Sequence, residues 1–138
     1  MGGCCCSRTN DKLDSKYCKD LKIFTYAGHN FNARVTDVYD GDTITIVFFD
    51  KEYKKMRIRL AGIDTPELKP RLNIENRDLH IAAANICKEY VSSRILDKII
   101  YVEIIGEDKY GRLLGNIYID NKCINTELLD NNLAIKYD

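Results

Sequence analysis

Three segments in a row alternate apolar and polar residues with period two, and each is cut short by a turn signal. This constrains the fold more than any other feature of the chain. Residues 33–39 alternate and break at Asp40-Gly41, a strong turn pair. Thr43 to Phe49 is β-branched and aromatic, with Ile44, Ile46 and Phe48 on one face and Thr43, Thr45 and Val47 on the other. Charged residues 50–55 read as the next turn. Met56, Ile58 and Leu60 then alternate with Arg57 and Arg59, so a core-facing apolar set turns both arginines the other way.

The remaining segments fit around these strands. Residues 1–20 read as a flexible polar lead-in and 21–138 as one domain. Two apolar patches around Gly28-His29-Asn30 predict a hairpin over 21–31. Pro66 and Pro70 bracket a polar loop to about Asn76. From Arg77 the period lengthens: Leu79, Ala83, Ile86 and Tyr90, joined by Ala82, Cys87 and Val91, predict an amphipathic helix to about Leu96. Residues 99–105 and 113–119 read as strands separated by a turn over 106–111. Ile124, Leu128 and Leu129 suit a short helix capped by Asn125 or Thr126. The fold class is α+β, mainly β: a five-stranded, strongly curved antiparallel barrel with two or three helices packed outside, not a βαβ domain.

Charge narrows the partners. Lys plus Arg and Asp plus Glu both total 21 in 138 residues, so the formal net charge is zero. Non-specific duplex binders carry a positive excess. Nucleic-acid contact here has to be local, which favours a small or single-stranded substrate engaged at the site; the expected state is a monomer. Six cysteines are present, three of them consecutive near the N-terminus, and no Cys-x-x-Cys pair lies in the domain, which argues against structural zinc. Cys87 and Cys123 sit among apolar residues and read as small core side chains. No apolar run reaches the roughly 18 residues of a spanning helix, and no signal-peptide segment follows Met1, so the expected setting is intracellular.

Acids and arginines collect on the turns. Asp42 follows the Asp40-Gly41 turn, and Asp64 lies just past the Arg59 strand. Two such carboxylates without histidine or thiolate suit Ca²⁺ or Mg²⁺ better than zinc, with water, phosphate and the Thr65 carbonyl completing the shell. Glu67 is tied to Asp64 by Thr65-Pro66, a rigid link that can hold a base near its water. Arg59 and Arg112 can each grip phosphate bidentately. Lys109 and Tyr110 can reach a further phosphate and a base or sugar. Taken singly, Asp-Gly-Asp is an ordinary turn and a lone arginine an ordinary surface residue; the weight lies in their conjunction.

Asp40-Gly41-Asp42-Thr43, Arg59 through Glu67, and Asp108 through Arg112 resemble, in order and spacing, the three signature segments of the staphylococcal nuclease family. The resemblance runs from about Ala33 to Ala134 and implies an OB-fold barrel. It implies Asp42, Asp64 and the Thr65 carbonyl as Ca²⁺ ligands and Glu67 as general base. Arg59 and Arg112 would be the phosphate-binding, charge-stabilising pair, with Lys109 and Tyr110 near a second phosphate. The tyrosine pair of the best-known member is represented here by Tyr137 at most, and the 68–76 loop differs from that member's lysine-rich loop. The implied activity is calcium-dependent hydrolysis of DNA and RNA to 3′-phosphate and 5′-hydroxyl ends; the alternative is a catalytically weak or inactive OB-fold module that binds nucleic acid or protein.

Met1-Gly2-Gly3-Cys4-Cys5-Cys6 resembles dual-acylation sequences, with Gly2 as a myristoylation site and Cys4, Cys5 and Cys6 as palmitoylation sites. One acyl chain binds a membrane reversibly and two bind durably. The implied location is the cytoplasmic face of a membrane, or the cytoplasm if the chain is unmodified.

Overall fold

The computed structural model describes residues 13–137. The alternating runs form strands β1 (Asn30–Asp40), β2 (Thr43–Asp50) and β3 (Glu52–Leu60). After the two-residue strand β4 (Ile63–Asp64) come β5 (Ile99–Glu107) and β6 (Leu113–Ile119), then two-residue strands β7 (Lys122–Cys123) and β8 (Ile135–Lys136). Helices α1 (Ser15–Asp20), α2 (Arg77–Ile95) and α3 (Ile124–Asp130) complete the described chain.

Five strands in the order β3-β2-β1-β5-β6 are closed by a parallel pairing of β3 with β6, giving the expected OB-fold-like barrel with three helices. Two register shifts late in β1, between Val35 and Asp37 and between Val38 and Asp40, accompany its curvature. Ile44, Ile46, Ile58, Leu60, Ile104 and Ile117 fill the barrel, each fully buried. Burial of each such side chain stabilises by about 1.5–3 kcal/mol. Gly115 keeps β6 close to β5, because a Cβ there would collide with the Glu103 carbonyl.

Some expectations are corrected. No hairpin forms over 21–31, because 22–26 make no ladder. Instead Glu107 captures the segment: its carboxylate accepts from the Thr25 hydroxyl at 2.6 Å and the Tyr26 N–H at 2.8 Å. Residues 52–55 are strand, since reversal needs only Lys51, which takes positive φ. Within the predicted lead-in, Asp14 caps α1 by accepting from the Lys16 and Tyr17 N–H groups, and no residue of α1 is buried.

Helix α2 has the predicted extent but is rotated: Ala84, Cys87, Val91 and Ile95 face the core, while Leu79 and Ile86 are exposed. The small Cys87 is selected because the helix passes close to Gly41, where a Cβ would strike Cys87 Sγ. Asn125 is not a cap. It is buried inside α3, accepting from the Ile117 N–H and donating to the Ala61 and Gly115 carbonyls. That side chain ties α3 to the end of β3 and to β6, the two strands that meet at the barrel seam.

Candidate active site

Barrel closure brings the three acid- and arginine-bearing segments to one rim. Thr43 at the start of β2 pairs with Arg59 near the end of β3, and Arg59 pairs across the seam with Leu114 of β6. Asp42, Arg59 and Arg112 therefore converge although they are far apart in sequence. The chain end joins them: β8 pairs with β4, the Tyr137 N–H donates to the Gly62 carbonyl, and the Arg59 guanidinium carbon lies 5.6 Å from the Tyr137 ring centroid.

Arg59 is the hub. Nη1 donates to the carbonyls of Leu60 at 3.0 Å and Ile63 at 2.9 Å and lies 3.4 Å from Asp42 Oδ2. Nη2 lies 3.3 Å from Asp64 Oδ1. Its planar fork thus holds both acidic turns while remaining mostly buried. Asp42 is buried too, accepting from the Thr43 hydroxyl at 3.2 Å and from the Thr65 N–H at 3.2 Å.

Arg112 is held by a different acid. Nε donates to Asp108 Oδ2 at 2.6 Å, and Nη1 donates to the Thr43 hydroxyl at 3.3 Å. Burial acts to raise the Asp108 carboxyl, but hydrogen bonds from the Arg112 and Tyr110 N–H groups and the guanidinium outweigh it and hold its pKa below the ordinary value. Tyr110 stands 5.6 Å from Arg112 and 5.2 Å from the Lys109 ammonium, well exposed. Glu67 is exposed and joins Asp64 and Thr65 along the wall of an adjoining groove.

Sequence reasoning gave no site role to Asp40, Thr43, Asp108 or Asn125. Asp108 lies in the Asp108–Arg112 segment, and its spacing of four from Arg112 is the available signal. Asp40 read as a turn residue, yet its carboxylate accepts from the Asp42 N–H at 3.1 Å. Burial and the adjacent Asp42 carboxylate push its pKa up to about 7. The raised value means the folded protein holds this proton more tightly than the unfolded chain does. The resulting stability is full below about 3.8 and is lost as pH rises through about 7. Asp40→Asn is therefore expected to raise the melting temperature at pH 8 in chelator and to do so much less at pH 4. A gain of equal size at both values would remove this assignment.

Behind the acids, Gly41 is wedged between α2 and Thr65. An added Cβ would strike Cys87 Sγ and approach Thr65 Cγ2 at 3.0 Å. Burial, followed by Asp42 and Asp40, pushes the Cys87 thiol up to about 11, so it stays protonated and packs as an apolar group. Gly41→Ala is expected to destabilise by about 1–3 kcal/mol through overpacking. Cys87→Ala in the same chain should recover part of that loss. Strict additivity in a double-mutant cycle by thermal unfolding would show that the two residues do not oppose each other.

Among the described residues no cluster of three or more His, Cys, Asp or Glu could hold a metal. The local donors are two carboxylates gathered around one guanidinium and the buried Thr65 hydroxyl, whose Oγ1 has no hydrogen-bond partner. An all-oxygen set of this kind fits a hard cation that keeps water in its shell, and offers nothing to a thiophilic one. Gly2, Cys4, Cys5 and Cys6 lie outside the described residues.

Comparison with known proteins gives concordant matches. Residues 57–138 match the family described as "Staphylococcal nuclease homologue". A thermonuclease of Staphylococcus intermedius is 35% identical over 101 residues, covering 72% of this chain and 56% of that protein. Endonuclease YncB of Bacillus subtilis is 34% identical over 129 residues, covering 93% of this chain and 56% of its own. Staphylococcal-like nuclease CAN1 of Arabidopsis thaliana is 36% identical over 84 residues, 61% of this chain and 23% of that one. The chain thus spans between just under a quarter and somewhat over half of these relatives.

Proposed function

The chain belongs to the family of staphylococcal nuclease homologues, and on that premise we propose that residues 21–138 form a nuclease domain hydrolysing DNA and RNA with Ca²⁺. The carrying observation is that Arg59 sits between Asp42 and Asp64, while Arg112 is pinned by Asp108 and Thr43 at the same rim. Formal neutrality favours single-stranded over duplex substrate, and a monomer suffices because one chain supplies every group named.

Asp42, Asp64 and the Thr65 carbonyl would hold Ca²⁺, which when bound supplies Lewis-acid polarisation of a phosphoryl oxygen. Glu67 takes a proton from water as the water oxygen bonds to phosphorus. The phosphorus–O5′ bond breaks opposite, and the departing oxygen takes a proton from solvent water, leaving 3′-phosphate and 5′-hydroxyl ends. Arg59 and Arg112 donate to the non-bridging oxygens as their charge grows. Lys109 meets a neighbouring phosphate, and Tyr110 and Tyr137 offer exposed rings to the nucleoside.

Hydrolysis of single-stranded DNA, assayed with Ca²⁺ and with chelator, tests the proposal. Cutting that stops on chelation supports it. Cutting indifferent to chelation refutes the metal assignment, and folded protein that binds DNA without cutting it favours the binding-module alternative.

The same reading places acyl chains on Gly2 and on Cys4, Cys5 or Cys6. Support comes from the adjoining described segment, where Leu13, Tyr17, Leu21, Ile23 and Phe24 are exposed among Lys16, Lys19 and Lys22. Apolar side chains flanked by lysines suit an anionic membrane surface. Among the described residues no helix is long and apolar enough to cross a membrane. In eukaryotic cells, Gly2→Ala should shift the protein from the membrane to the supernatant fraction. Intact mass showing an unmodified Gly2 and cysteine triplet would remove the anchor and leave the nuclease reading untouched.

A further inference from the structure

Beside the acidic turns lies an open groove of about 640 Å³. That size falls within the roughly 300–1,000 Å³ of small-molecule sites. Pro66, Pro70, Ile74 and Leu133 give it an apolar wall, with His80 and Asn132 among its polar groups. Arg59, Arg112, Tyr110 and Tyr137 do not line it, but Glu67 does. The groove is therefore distinct from the arginine and tyrosine side of the site and continuous with the proposed base.

We propose that this groove binds the nucleoside that keeps the scissile phosphate on its 3′-oxygen. The inference rests on the nuclease reading and extends it by stereochemistry. In an in-line displacement the attacking oxygen and the leaving oxygen lie on opposite sides of phosphorus. With Glu67 positioning the water, the leaving nucleoside points away from Glu67. The retained nucleoside is bound through an equatorial oxygen and is free to turn toward Glu67, where the groove opens. Proline, Ile74 and Leu133 surfaces suit the faces of a base, while His80 and Asn132 can meet its edge or the sugar. Arg71, also on the wall, is placed to meet the next phosphate upstream.

Two measurements on the full chain test this. In the first, thymidine 3′-monophosphate is titrated into isotope-labelled protein and followed by NMR, with inorganic phosphate as comparison. The nucleotide should shift His80 and Ile74 signals, and phosphate alone should not. Ile74→Asp and His80→Ala, both at exposed positions, should each weaken nucleotide binding about tenfold, while Ile86→Ser on the outer face of α2 should not. Absence of nucleotide-specific shifts at His80 and Ile74 would overturn the proposal whether or not the protein cuts nucleic acid.

The second measurement compares two 4-nitrophenyl phosphodiesters with Ca²⁺, one retaining thymidine on its 3′-oxygen and one retaining methyl. Wild type should prefer the thymidine ester by about tenfold or more in kcat/KM, and Ile74→Asp should erase most of that preference. Cleavage of both esters with no preference, or a preference unchanged in Ile74→Asp, would overturn the groove assignment and leave the nuclease reading standing. If neither ester nor DNA is cut, the nuclease reading fails, and the NMR titration still decides whether the groove holds a nucleotide.

Discussion

Arg59→Lys is expected to lower turnover by about 10²–10³-fold, the cost of losing one preorganised donor to a developing oxyanion. Arg59 joins the Leu60 and Ile63 carbonyls to Asp42 and Asp64 through one planar group. An ammonium is a point charge and cannot reach all four in that geometry. Hydrogen bonds to a charged group contribute about 1.5–3 kcal/mol, so this substitution should also lower the unfolding midpoint. Arg112→Lys should cost a similar factor in rate but less stability, because its side-chain partners are Asp108 and Thr43 rather than two main-chain carbonyls at the strand end. Thermal unfolding measured beside kcat separates the two effects. Near-normal turnover in both variants would make these arginines ordinary structural residues.

Glu67→Gln is expected to reduce turnover by about 10²–10⁴-fold, the range associated with a positioned general base, while leaving Ca²⁺ affinity unchanged. The glutamate is exposed and lies outside the Arg59 network, so its amide should leave the fold intact. Asp42→Asn should behave in the opposite way. It removes a negative charge from the cation's ligands, and it sets an amide beside the Thr65 N–H and Arg59, both donors. Weakened Ca²⁺ binding and a loss of about 1–3 kcal/mol in stability follow. Calorimetric Ca²⁺ titration of both variants decides the roles. Unchanged affinity in Asp42→Asn would refute its place as a ligand, and full turnover in Glu67→Gln would refute the base.

Period-two alternation exposed the barrel because inward residues such as Ile44, Ile46 and Ile58 had to be apolar whatever the protein does. The extent of α2 was legible for the same reason, but its rotation was not. Leu79 and Ile86 are as apolar as Val91 and Ile95, and the close approach of Cys87 to Gly41 marks the face that packs inward. Asp42, Arg59 and Asp64 stand out as candidates only in conjunction, and the fold does bring them together around one guanidinium. Asp40, Asp108 and Asn125 were hidden because turn formation and capping explain them locally. The role of Asn125 arises from partners brought near by folding, such as the Ala61 carbonyl 64 residues away, whereas Asp40 and Asp108 hold near neighbours, Asp42 and Arg112, in the same turns. The groove behind Glu67 joins the 66–74 loop, the start of α2 and 132–135, a combination no periodicity announces.

The parallel seam has a consequence for how the molecule comes into being. Ile58 pairs with Leu113, 113 − 58 = 55 positions further along the chain. Bringing such distant segments together costs loop entropy that grows with separation, on the order of (3/2)RT ln n, or roughly 3–4 kcal/mol before any reward. Contacts of this range tend to form slowly. Arg59 and Arg112 stand immediately beside that seam, so the two arginines of the proposed site come together only when this long-range pairing is made. A nascent or partly unfolded chain would carry every residue of the proposed site and still lack the site. On the proposed function, competence is thereby tied to closure of the barrel.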